Sequence, residues 1–209
     1  MFSLFGLLIA FTFSGSASRF DSRRQLLAEE INDIGTAYLR LDLLPAGVQP
    51  ALHGLFRDYV DSRLAVYRKL PELDAAKAEL ARSEKIQGEI WTRAVAATAD
   101  SGAHADASRL VPPSLNAMID ITNTRVMAAR IHPPPIVYLF LFVVGLACSL
   151  LAGYGMAEGK YRSWIHILGF TVIMGASLFV IIDMEYPRMG FIRLDAYDQS
   201  LVELRDKMR

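Results

Sequence analysis

Two uncharged apolar runs in the second half of the chain constrain its fold more than any other feature. Residues 135–157 read PIVYLFLFVVGLACSLLAGYGMA, with no formally charged side chain in 23 positions. Residues 164–182 read WIHILGFTVIMGASLFVII, with His166 as the only titratable group in 19. A helix needs about 20 apolar residues to cross a hydrocarbon core ~30 Å thick. Only the six residues EGKYRS separate the runs, so together they read as a transmembrane hairpin. The soluble alternative is a pair of buried core helices, but those are usually shorter and two-faced.

The N-terminal stretch, MFSLFGLLIAFTFSGSA, is apolar but shorter and gives way to Arg19, Asp21, Arg23 and Arg24. Three readings stay open for it. A signal peptide would end at the small residues Gly15-Ser16-Ala17, yet no basic residue precedes the apolar run. The others are a short membrane span and the remainder of a longer membrane segment. Gly6, Gly15 and the serines allow close helix packing in either membrane reading.

Between these regions the chain reads as helices. Leu27, Ile31, Ile34, Tyr38 and Leu41 recur at heptad-like spacing over residues 20–44, and Pro45 ends that helix. Its other side carries Glu29, Asp33, Thr36 and Arg40, either a solvated face or the lining of a water-filled vestibule. Pro50 suits a first helical position, and Leu52, Phe56, Tyr59, Leu64 and Tyr67 form the next apolar face. Pro71 interrupts it. Residues 72–99 form a third helix, with a core face of Leu73, Leu80, Ile86 or Ile90, and Trp91. Residues 99–106 read as a loop and as the stretch most prone to disorder. Pro112-Pro113 opens the last helix before the hairpin, which buries Leu115, Met118, Ile119, Thr122 and Val126. His132 and three prolines then force an extended elbow. After the hairpin come Asp183, Glu185 and Arg188 at the membrane–water interface, then a short strand-like piece from Phe191 and an amphipathic helix.

Formal charge balances at 22 basic and 22 acidic residues, which gives no basic excess for a nucleic-acid partner. The single cysteine, Cys148, cannot form an internal disulfide, and no Cys/His zinc spacing occurs. No nucleophile elbow, phosphate loop, dinucleotide fingerprint or HExxH is present, so the chain is not read as an enzyme, and no cofactor is expected. Glu29 and Glu30 with His53 make a conceivable metal set, but nothing in their spacing requires one, and no metal site is assigned.

Basic residues set the orientation. The hairpin loop carries Lys160 and Arg162, whereas Arg19, Arg23, Arg24, Arg125, Arg130, Arg188 and Arg193 lie on the opposite side. Positive-inside reasoning puts the helical domain and the C-terminus in the cytoplasm of a multi-pass inner-membrane protein.

Four segments, AFTFSGSASRFDSRR (10–24), EEINDIGTAYLRLDLLP (29–45), LNAMIDITNTR (115–125) and IIDMEYPRMGFIRLD (181–195), resemble a bestrophin-like family of bacterial membrane proteins. That family is remotely related to the bestrophins, pentameric anion channels with a helical cytosolic region beneath a four-helix membrane domain. Family members usually carry further apolar sequence before the segment at 10–24. The resemblance implies an all-α protomer with an N-terminal span at 1–18, a cytosolic helical domain at 19–132, a hairpin at 133–184 and a cytosolic tail at 185–209. It implies a homo-oligomer, a pentamer by analogy, embedded in lipid and conducting inorganic ions. Pore-lining candidates are Phe5, Leu8, Ile9 and Thr12, with Ser16 and Arg19 at the cytosolic mouth, where a ring of Arg19 would favour anions. The alternative for Phe5, Leu8 and Ile9 is lipid contact. Glu29, Asp33, Thr36 and Arg40 would continue the path, and their acidic members count against anion selectivity. The competing function is a non-conducting membrane-anchored scaffold or sensor that binds a cytosolic partner through its helical domain.

Overall fold

The computed structural model describes residues 2–156, 164–187, 190–192 and 195–208. It is all-helical, with no strand among the described residues. Helix α1 runs Phe2–Arg40 and ends in a 3-10 turn at Leu41–Leu43. It is followed by α2 (Gln49–Arg68), α3 (Leu73–Ala97), α4 (Ala107–Arg130), α5 (Pro135–Gly155), α6 (Trp164–Glu185) and α7 (Asp195–Lys207). The chain divides into two compact units. One comprises Met1–Ser22 and Ile131–Ile192, the other Arg23–Arg130 and Arg193–Arg209.

The hairpin unit holds the start of α1 with α5 and α6. Among the described residues, α5 and α6 are long and apolar enough to span a bilayer. The 21 residues of α5 extend about 32 Å at 1.5 Å per residue. Pro135 sits at the first turn of α5, where a missing N–H costs nothing, and Pro134 before it is extended. Phe5 of α1 packs with Leu141 and Cys148 of α5, and Leu8, Ile9, Phe170, Met174 and Leu178 close around them. Gly145 permits this approach, because a Cβ there would lie 2.8 Å from the Met174 methyl and 3.5 Å from the Phe5 ring. The hydroxyls of Thr12, Ser149, Thr171 and Ser177 each donate to the carbonyl four residues earlier, at 2.8–2.9 Å. This back-bonding satisfies the hydroxyls within the helix itself.

The other unit is a bundle of the second half of α1 with α2, α3, α4 and α7. Its core includes Ile34 and Ala37 from α1, Leu41 from the 3-10 turn, Phe56, Tyr59 and Val60 from α2, Ile90 and Ala94 from α3, Val111, Leu115 and Met118 from α4, and Leu201 from α7. Arg205 of α7 grips Asp61 of α2 through two bonds of 2.8 and 2.9 Å.

Five local expectations change. Residues 14–20 do not separate two elements, because α1 is continuous through Gly15. Leu73 is exposed rather than part of the core. Helix α4 starts at Ala107, before the proline pair, with Pro112 and Pro113 inside it. The loop before it is built of ordered turns: His104 N–H donates to Leu43 O at 2.8 Å and Gly102 N–H to the Asp100 carboxylate at 2.8 Å. The strand-like piece at Phe191 is no strand, and its backbone N–H groups go to a side chain described below.

Candidate functional site

Among the described residues, each unit has a buried glutamate that gathers charged side chains, Glu185 in one and Glu30 in the other. In the hairpin unit the centre is Glu185, the last residue of α6, whose side chain is fully buried. Arg19 Nε donates to Glu185 Oε1 at 2.7 Å, and Arg19 Nη2 reaches the same oxygen. Arg19 Nη2 also donates to Ser16 Oγ at 3.2 Å, one turn earlier on α1. His132 Nδ1 lies 3.4 Å from Glu185 Oε2, and its ring stacks on Tyr186 with centroids 4.8 Å apart. A buried carboxylate is thus matched by a guanidinium and an imidazole, the arrangement that makes burial of the charge tolerable.

Asp183, two residues earlier and 7% exposed, takes a different role. Its carboxylate accepts Phe191 N–H at 2.9 Å and Ile192 N–H at 2.7 Å, capping the turn that follows α6. Gly190 lies so near that an added Cβ would collide with the Asp183 carboxyl group. Arg188 lies outside the described residues.

The six N-terminal candidates share the packed side of α1. Phe5 is 3% exposed, Leu8 and Ile9 are half-buried against the same cluster, Thr12 is half-buried, Ser16 is fully buried, and Arg19 is tied to Glu185. The exposed side of this segment carries Leu4, Leu7, Phe11, Ser14 and Ser18.

In the bundle, the stripe Glu29, Asp33, Thr36, Arg40 is mixed. Glu29 and Thr36 are exposed, while Arg40 Nη1 donates to the Leu110 carbonyl at 2.9 Å. Burial, with a contribution from the Glu29 charge, holds the Asp33 carboxyl above its ordinary 3.8. Sequence reasoning missed the neighbouring buried cluster. Glu30 is fully buried and pairs with Arg63 Nε at 2.8 Å and with Arg125. Arg63 Nη2 donates to Tyr67 Oη at 2.8 Å, and the Arg125 guanidinium lies 5.0 Å from the Tyr67 ring centroid. Beside it Gln87 Nε2 donates to Tyr59 Oη (2.9 Å) and Thr122 Oγ1 (3.1 Å). The His53 ring lies tilted against Tyr38, with centroids 4.7 Å apart, and 3.7 Å from Asp42, so Glu30 and His53 belong to separate interactions. Among the described residues no group of three potential ligands could hold a metal ion.

The Bestrophin-like domain model matches residues 3–196. Two crystal structures of a bacterial bestrophin homologue from Klebsiella pneumoniae, each with one mutation, share this fold. They have TM-scores of 0.69 and 0.70 at 18% and 16% identity, covering 99% of this chain and 87% and 85% of theirs. No curated protein matches the sequence. A family match over nearly the whole chain, with the fold reproduced end to end, places the protein in the Bestrophin-like family.

Proposed function

We propose that the chain is one protomer of a homo-oligomeric membrane ion channel, with the N-terminal segment of α1 lining the path. The observation that carries this reading is a contrast between exposed faces. On α5 and α6 large apolar residues predominate outward, including Ile136, Phe140, Leu146, Leu150, Ile165, Leu168, Val172 and Ile173, with Ala147, Ser149, Gly153, Thr171, Gly175 and Ala176 between them, a composition matched to lipid. On α1 the outward face is more evenly mixed, with Leu4, Leu7, Phe11 and Phe13 beside Ser3, Gly6, Ala10, Ser14 and Ser18. Small and hydroxylic residues suit close packing between copies and a wetted path better than lipid. Leu7 and Phe11, one turn apart, would form apolar constrictions. Phe5, Leu8, Ile9, Thr12, Ser16 and Arg19 would form the layer behind them.

Two or three helices cannot enclose a pore, so conduction requires a ring, fivefold by resemblance to the bestrophins. In this reading the hairpin is embedded, the N-terminal segment is a third span, and the bundle and α7 lie in the cytoplasm beneath the inner membrane. The Glu185 carboxylate offsets the charge of Arg19, and Glu29 and Asp33 give the bundle an acidic stripe. Both features weigh against a strongly anion-selective mouth. Oligomer mass in detergent tests the reading first: a ring supports it and a monomer removes it. Cysteine labelling at Gly159 tests orientation, with reaction from the cytoplasmic side alone contradicting it.

A second reading, a non-conducting scaffold, draws support from one feature. A groove between α3 and α4 is lined by Glu84, Gln87, Trp91, Asn116 and Asn123, side chains suited to a polar peptide.

A further inference from the structure

Phe191 is the most exposed large apolar residue among those described, at 87%. Such a residue on a short turn ordinarily means little. Here the turn is built to hold it. Both oxygens of Asp183 accept backbone N–H groups of the turn, from Phe191 at 2.9 and 3.1 Å and from Ile192 at 2.7 Å. The carboxylate is itself buried, so these bonds act in a low-dielectric setting where they are strong. Gly190 lets the backbone close onto it, since any Cβ there would strike the carboxyl group.

The direction of the held ring is the informative part. Phe191 meets Phe179 edge-on, with centroids 5.9 Å apart. Phe179 lies six residues before the end of α6, roughly 9 Å along the helix axis at 1.5 Å per residue. It is 52% exposed, on the outward apolar side that also carries Val172 and Ile182. The turn therefore leaves α6 and doubles back along its outward face. Tyr186, 43% exposed, adds an amphipathic ring at the same end.

We infer that the turn at Phe191 is an interfacial anchor whose partner is the bilayer: Asp183 pins the backbone so that the Phe191 ring dips beside Phe179 into the acyl region. This rests on the membrane placement of α6 proposed above. Lipid is the occupant the surroundings favour, because the ring continues an uncharged outward face that carries Val172, Gly175, Ala176, Phe179 and Ile182. The anchor also fixes the end of α6 where Glu185 holds Arg19, so it steadies the α1–α6 contact.

The test is site-directed spin labelling of full-length protein in phosphatidylcholine/phosphatidylglycerol vesicles, with Phe191→Cys and Phe179→Cys each in a Cys148→Ala background. Collision with oxygen reports lipid and collision with a water-soluble nickel chelate reports water. The anchor predicts oxygen access several-fold above nickel access at both positions. Nickel access dominating at 191, or low access to both reagents there, overturns it, the latter indicating burial against a second copy. Water-dominated access at 179 overturns the anchor together with the placement of α6. Adding Gly190→Ala should shift the 191 label toward water, and an unchanged ratio removes Asp183 as the pin. Ion flux is read on the same vesicles, so a lipid-exposed label without flux supports the anchor and overturns the channel reading alone.

Discussion

Arg19 and Glu185 join α1 to the end of α6: Arg19 Nε donates to Glu185 Oε1 at 2.7 Å across 166 residues of sequence. The Glu185 side chain is fully buried, whereas that of Arg19 is 30% exposed. Removing the cation leaves a buried carboxylate with His132 as its remaining described ion-pair partner. Arg19→Met should cost about 2–3 kcal/mol, lowering the melting temperature in detergent, and Glu185→Gln should cost less because it buries no charge. Equal melting of both variants and wild type would show that the pair contributes nothing.

The Glu30 cluster shows the same dependence more sharply. Arg63 is 2% exposed and Glu30 is its carboxylate partner. Glu30→Gln strands that guanidinium and should cost roughly 3–5 kcal/mol. Glu29→Gln, one residue away and exposed, should change stability by under about 0.5 kcal/mol. Thermal melts of the two variants side by side check the contrast.

That contrast also marks what the sequence could and could not disclose. The apolar hairpin and the faces of α2 and α4 were legible because their periodicity is local. Burial along α1 and into the 3-10 turn follows Arg23, Leu27, Glu30, Ile34, Ala37 and Leu41, a regular alternation of four and three. A glutamate and an arginine in that register were the available signal of buried polar contacts. They read instead as a solvated charge run, because the partners of Glu30 lie on α2 and α4. The partner of Glu185 was hidden for the same reason, since Arg19 is far away in sequence. The continuity of α1 was obscured by the change from an apolar run to the charged residues Arg19, Asp21, Arg23 and Arg24, which divides one helix into two compositions.

Asp33 should oppose stability at neutral pH. Burial first, and then Glu29, raises its folded value above 3.8, so the folded state disfavours the ionised form. Asp33→Asn should therefore melt higher than wild type at pH 7. The advantage should shrink as pH falls through the raised value and vanish below 3.8, where folded and unfolded carboxyls are both protonated. A pH-independent difference would assign the effect to packing.

Glu79 should behave in the opposite sense. Its hydrogen bond from Lys69, at 2.7 Å, holds the carboxyl below its ordinary 4.5. The pair's contribution is present above 4.5 and is lost as pH falls through the lowered value. Lys69 is 42% exposed, so the effect is small and screened by salt. Lys69→Met should reduce stability slightly at pH 7 and match wild type in strong acid. A deficit that persists in acid would contradict the assignment.

If the exposed side of α1 lines an ion path, a charge placed on it must obstruct conduction. Ion flux through proteoliposomes bearing Phe11→Cys, measured before and after a charged thiol reagent, tests this most directly. Conduction should fall by half or more on modification, with wild type unaffected because Cys148 is buried. Oligomeric protein that conducts no ion, or flux through Phe11→Cys that the reagent leaves unchanged, would contradict it.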